Sequence, residues 1–157
     1  MPKIDIKAVP EIKGSRYPAP FDKPCAERVR KALGDAGGLN QFGVNLLTLA
    51  PGAWSSQRHW HVEEDEFVTV ISGEVVLRSD QGEEVLRAGD CAAFAKGDKN
   101  GHHLVNRSAA PATVLEVGTR LPDDADVCYY PDADLVWNGP KGTYTHRDGV
   151  PYPERKA

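Results

Sequence analysis

Cysteine is scarce in this chain of 157 residues: Cys25, Cys91 and Cys128 are widely separated and form no C-x-x-C pair. So odd and dispersed a set excludes a disulfide framework and predicts reduced thiols in a cytoplasmic protein. Long apolar runs are absent as well, none approaching the roughly 18–20 residues that span a bilayer. The opening MPKIDIKAVP has charged residues where a secretory leader needs an apolar stretch, so it does not read as a signal peptide. Basic excess is missing: 19 Lys and Arg stand against 23 Asp and Glu, a net charge of -4 with no basic stripe. Such a surface repels a phosphate backbone on average, which argues against a nucleic-acid partner. No sustained 3.6-residue period, internal repeat, Gly-x-Ser-x-Gly elbow or P-loop occurs, which removes helical bundles and common hydrolase and nucleotide signatures.

What is present is turn chemistry. The chain holds 15 Gly and 12 Pro, with 40% hydrophobic and 27% charged residues, the profile of one globular domain made of short elements. Residues 1–24 carry five prolines and read as an extended arm, lying on its own domain or on a neighbouring subunit. Residues 25–38 read as a strand from Arg28 to Leu33 turning through Asp35 to Gly38, with a short helix as the alternative. From 39 to 118 the apolar runs VNLLTL, FVTVI, VVLR, EVLR, CAAFA, HLV and ATVLEV alternate with Gly-containing breaks. That pattern predicts an all-β fold of antiparallel sheets, a sandwich or barrel spanning 25–118. Residues 119–157, rich in Pro, Gly, Asp and aromatics, are expected to form an irregular cover anchored by Tyr129, Tyr130 and Trp137.

Four of the five histidines fall in two short segments. On a strand, residues two apart share a face, so His59 and His61 project together. Glu66, beyond the acidic turn of Glu63, Glu64 and Asp65, opens the next strand and is able to face the same point. Asp65 is the near alternative. One of His102 and His103 completes a set of three imidazoles and a carboxylate, which suits a divalent transition metal: Fe, Mn, Ni, Co or Zn. Gln57 lies on the face of His59 and His61 and is the candidate catalytic or substrate-contacting group. Arg58 and Trp60 point the other way. Val68 and Val70 share the Glu66 face and are expected to form an apolar wall. Cys91 reads as a small buried residue and His146 as a surface turn residue.

The sequence His59-x-His61-x4-Glu66-x6-Gly73, with His102-x3-Asn106 after it, resembles the two motifs of the cupin superfamily and covers about a third of the chain. The resemblance implies a double-sheet jelly-roll barrel holding one divalent metal through His59, His61, Glu66 and His102. It departs from the family pattern in the six residues between Gly52 and His59, in Ala95 where proline is usual, and in the four residues between Gly97 and His102. The spacing to Asn106 selects His102 and leaves His103 facing outward, partly exposed. The resemblance further implies a metal-dependent enzyme on a small carboxylate- or hydroxyl-bearing metabolite, of dioxygenase, decarboxylase, isomerase or lyase type. A non-catalytic metal or ligand sensor is the alternative, and a homodimer the implied assembly.

Overall fold

Gly73 shows how the breaks shape the fold. Its φ is +76°, and a Cβ there would meet Ala112 Cα and the Pro111 carbonyl oxygen at 2.9 Å, so only glycine turns the chain at this point. Repeated turns of this kind yield thirteen strands in the computed structural model, which describes residues 3–153. They are β1 (Ile12–Lys13), β2 (Arg28–Ala32), β3 (Phe42–Leu49), β4 (Trp60–His61), β5 (Glu66–Ser72), β6 (Glu74–Ser79) and β7 (Gly82–Arg87). There follow β8 (Cys91–Phe94), β9 (His103–Val105), β10 (Ala112–Thr119), β11 (Val127–Tyr130), β12 (Leu135–Asn138) and β13 (Thr143–Thr145). Pro2 of the expected arm and 154–157 of the expected cover lie outside the described residues.

Every pairing is antiparallel, and the all-β jelly-roll architecture is as expected. A six-stranded sheet runs β1-β2-β3-β10-β5-β8. The layer opposite comes in two pieces, β13-β12-β11-β4 and β7-β6-β9, rather than as one continuous sheet. The isolated bridges His59↔His102 and Trp54↔Val105 stitch across this seam. All seven apolar runs fall on strands. The region from 119 onward departs from expectation: it contributes the hairpin strands β11 to β13, because VCYY and LVWN each pair along their length around a tight turn. Leu33–Ala36 is a single helical turn rather than the end of a strand.

Two cores result. Leu47, Leu49, Val68, Val70, Val75 and Val114 pack between the six- and three-stranded sheets, with Leu47 and Leu49 at 0% exposure. Burying each such leucine contributes about 1.5–3 kcal/mol. Val68 and Val70, expected to line an apolar pocket wall, are packed core residues instead. In the second core Tyr17, from the arm, meets Tyr130 edge-on with ring centroids 5.6 Å apart, beside Cys25, Cys128 and Leu135. The arm therefore lies on its own domain. Trp54 N donates to the Pro24 carbonyl at 2.9 Å, and Gln57 Nε2 to the Phe21 carbonyl at 2.7 Å. All three cysteines are free, and Cys91 is exposed, not buried, since it sits on the edge strand β8. No helix among the described residues is long and apolar enough to cross a membrane.

Candidate metal centre

The seam in the second layer brings the histidines together. His59 N donates to the His102 carbonyl at 3.0 Å, and His102 N donates back at 2.8 Å. Directly paired residues of antiparallel chains project to one side, so both imidazoles enter the barrel there. His61 enters beside them from β4, and Glu66 enters from β5 in the opposite sheet. Glu66 Oε2 lies 2.9 Å from His102 Nε2, 3.4 Å from His59 Nε2 and 3.5 Å from His61 Nε2. Ligands held at about 2.0–2.2 Å around one ion are separated by distances of this order, so the four predicted groups fit a shared metal.

The far sides of the rings support the same reading. His61 Nδ1 donates to Asp126 Oδ2 at 2.6 Å, and His59 Nδ1 to the Gln57 carbonyl at 2.9 Å. An imidazole committed through Nδ1–H presents a bare Nε2, the form that binds metal. Asp126 is itself buried and also accepts from Glu63 N at 2.8 Å, which fixes its position. One ligand carboxylate with a second behind His61 balances the charge of a divalent cation. Burial alone would raise the Glu66 carboxyl, but His102 and His59 outweigh it and hold it well below the usual carboxylate range. Burial pulls His61 down, and Asp126, Glu66 and Glu64 more than reverse this. His102 is lowered by burial against the opposing pull of Glu66. Phe94 stacks on the His102 ring at 3.5 Å and shields it from water.

Cys128 Sγ also approaches His59 and His61. Burial drives its thiol well above the ordinary value, keeping it protonated, whereas thiolate is the ligand form. Asp65 is turned away and accepts from Lys96 N at 2.9 Å. Glu64, in the acidic turn, has a side chain only 20% exposed beside His61. His103 is the clear correction. It is 2% exposed rather than outward, because the far side of its strand is covered by protein. Its ring meets Trp54 edge-on at 4.6 Å, and Nδ1 donates to the Ser56 carbonyl at 2.9 Å. Burial pushes it down to about 4, so it is neutral at pH 7.

Gln57 spends its amide on the Phe21 carbonyl and does not line the cavity beside the centre. That cavity, of about 530 Å³, is bounded by Leu77, Ala92, Phe94, His102 and the carboxylates of Glu64 and Glu66. Arg58, directed away as predicted, forks onto Asp132 at 2.7 and 2.8 Å, and Trp60 stacks on Tyr129 at 4.9 Å. Asp126 and Cys128 were not among the predicted site residues; the apolar-aromatic alternation of VCYY was the available signal. Replacing Asp126 with Asn is expected to weaken metal affinity about 10–100-fold. Chelator competition measures this, and an unchanged affinity would show that His61 needs no anchor.

Residues 45–118 match the cupin domain family model. A crystal structure of a sugar phosphate isomerase from the cupin superfamily, from Silicibacter pomeroyi, is 49% identical, with 96% of each chain covered and a TM-score of 0.89. The chain belongs to the cupin superfamily. A structure from Acidithiobacillus ferrooxidans, which carries the designation sugar phosphate isomerase provisionally, is 29% identical over 92% of this chain and 91% of its own, with a TM-score of 0.74. A polyketide cyclase of Streptomyces resistomycificus shares the fold at 20% identity, 76% and 79% coverage and a TM-score of 0.60. No curated protein matches the chain.

Proposed function

We propose that this protein is a metal-dependent isomerase of small phosphorylated sugars, its ion held by His59, His61, Glu66 and His102. The observation that carries the metal-dependent reading is the convergence of three imidazole nitrogens on one carboxylate oxygen beside an open cavity. The reaction class is supported by the name of the relative at 49% identity across nearly the whole chain. When bound, the ion supplies a Lewis acid that polarises a carbonyl oxygen and orients neighbouring hydroxyls. The donor set accepts Fe, Mn, Ni, Co or Zn. Asp126 and the Gln57 carbonyl orient His61 and His59, while Phe94, Leu77 and Ala92 keep one wall dry. Gln57 is thus a positioning residue in this reading, acting through His59 and the arm. A cytoplasmic homodimer completes the proposal.

The test is a chelator. Stripping the ion is expected to cut interconversion of aldose and ketose phosphates by at least about a hundredfold, and one equivalent of divalent metal to restore it. Protein that binds one equivalent yet turns over none of a panel of triose to hexose phosphates is instead a non-catalytic ligand-binding module.

A further inference from the structure

The inward face of the six-stranded sheet carries charged side chains that the metal centre does not use. Pairing places Asn45, Leu47 and Leu49 of β3 on one face with Glu116, Val114 and Ala112 of β10. Val68 and Val70 of β5 continue that face, and they are core residues, so the face is the inner one. On β2, Arg28 lies opposite Leu49 and Arg30 opposite Leu47, which starts both side chains inward. Glu116 is paired with Val68, and Glu66 with Gly118, so the two glutamates are diagonal neighbours on the inner face. Diagonal positions are about 7–8 Å apart, within reach of long side chains.

Arg28 is committed, its guanidinium donating to the carbonyls of Gly14 and Ser55. Arg30 and Glu116 are not. Both are half-buried, and neither side chain hydrogen-bonds or ion-pairs with any described residue; Arg30 Nε is buried without a partner. Native interiors leave few such groups unsatisfied, and each calls for an explanation, a catalytic role or a bound ion or water among them. The charge layout gives this ligand a direction. On the β6–β8 side of the centre the cavity presents Glu64, Glu84 and Asp98 and no Lys or Arg. Arginines gather on the other side, where Arg28 and Arg16 act electrostatically on Arg30.

We propose, building on the isomerase reading, that Arg30 binds the phosphate of the substrate and that Glu116 is the catalytic residue moving a proton between its adjacent carbons. The Glu116 carboxylate takes the proton from the hydroxyl-bearing carbon beside the carbonyl. That C–H pair becomes the C=C of an enediolate as the carbonyl π pair moves onto its oxygen. The hydroxyl proton passes to this oxygen, and the neighbouring oxygen forms the new carbonyl. The C=C pair then takes the proton back from Glu116 at the former carbonyl carbon. Nothing else is consumed. Burial lifts the Glu116 carboxyl to about 7, Glu66 adding to the rise while Arg28 and Arg30 oppose it.

Two measurements on metal-loaded protein test this. In D2O, a panel of pentose 5-phosphates and hexose 6-phosphates is followed by NMR for loss of the C–H signal beside the carbonyl. Inorganic phosphate is titrated by calorimetry. Glu116→Gln is expected to slow deuterium wash-in by about 10²–10⁴-fold while binding phosphate as the parent does. Arg30→Met is expected to weaken phosphate binding at least about tenfold, both variants keeping one equivalent of metal. Parental wash-in by Glu116→Gln overturns the catalytic role, and parental phosphate binding by Arg30→Met overturns the anion contact. If the parent interconverts a sugar phosphate without deuterium wash-in, the role of Glu116 falls and the isomerase reading stands; if it interconverts none, both fall. The phosphate titration then decides Arg30 alone.

Discussion

Replacing His102 with Ala is expected to leave the protein folded with less than about a tenth of an equivalent of bound metal, whereas His103→Ala keeps the metal and loses stability. The two residues are adjacent, yet alternation sends them into different environments. His102 Nε2 is the closest of the three imidazole nitrogens to Glu66 Oε2, at 2.9 Å, and no other described imidazole is placed to replace it. His103 is locked between Trp54 and the Ser56 carbonyl. Truncating it opens a void and strands the carbonyl, which costs about 2–4 kcal/mol. Elemental analysis and thermal unfolding of the pair read both effects. The reverse pattern, with metal lost from His103→Ala and retained in His102→Ala, would place the wrong histidine in the centre.

Gly139→Ala is expected to be the most damaging single-methyl change in the chain. A Cβ at Gly139 would overlap the Asp124 carbonyl oxygen and press on that of Asp126, to which Gly139 N already donates at 3.0 Å. Neither obstacle is a flexible side chain, so the backbone of 124–126 must move. Overpacking of this severity costs about 3 kcal/mol or more, roughly a 10 °C fall in Tm for a domain of this size. Displacing Asp126 also loosens its hold on His61, so metal affinity falls in the same variant. A melting temperature and chelator competition unchanged from the parent would show that the 124–126 segment yields freely.

The strands β3 and β5 to β10 are legible in the sequence because each is a short apolar run, most of them closed by a glycine turn; the two-residue β4 has no such signature. The candidate ligands are legible because His59 and His61 lie two apart on a strand and Glu66 opens the next one. Asp126 reaches His61 from 65 residues away and Cys128 comes in on the same strand, a proximity that no local pattern records. The split in the second layer is hidden for a related reason: a bridge one residue long, His59↔His102, has no periodicity. His103, Arg30 and Glu116 illustrate a different limit. Alternation says which residues share a face, but not whether that face meets water. A histidine opposite the ligand and charged residues interspersed among leucines and valines look like a wetted surface until the pairing closes over them.

The seam bridged by His59 and His102 gives a bound ion a second consequence. An ion held there clamps β4, the approach to β9, and β5 of the facing sheet, joining all three sheets at one point. A chain whose cysteines are all free has no covalent cross-link to do this. Because the unfolded chain presents no such cage, its folding equilibrium is tied by mass action to the free metal concentration, by about 4 kcal/mol at a thousandfold excess over the dissociation constant. On the proposed function, such an ion would be a staple as well as a reagent, and metal supply would set how long the protein lasts as well as how fast it works.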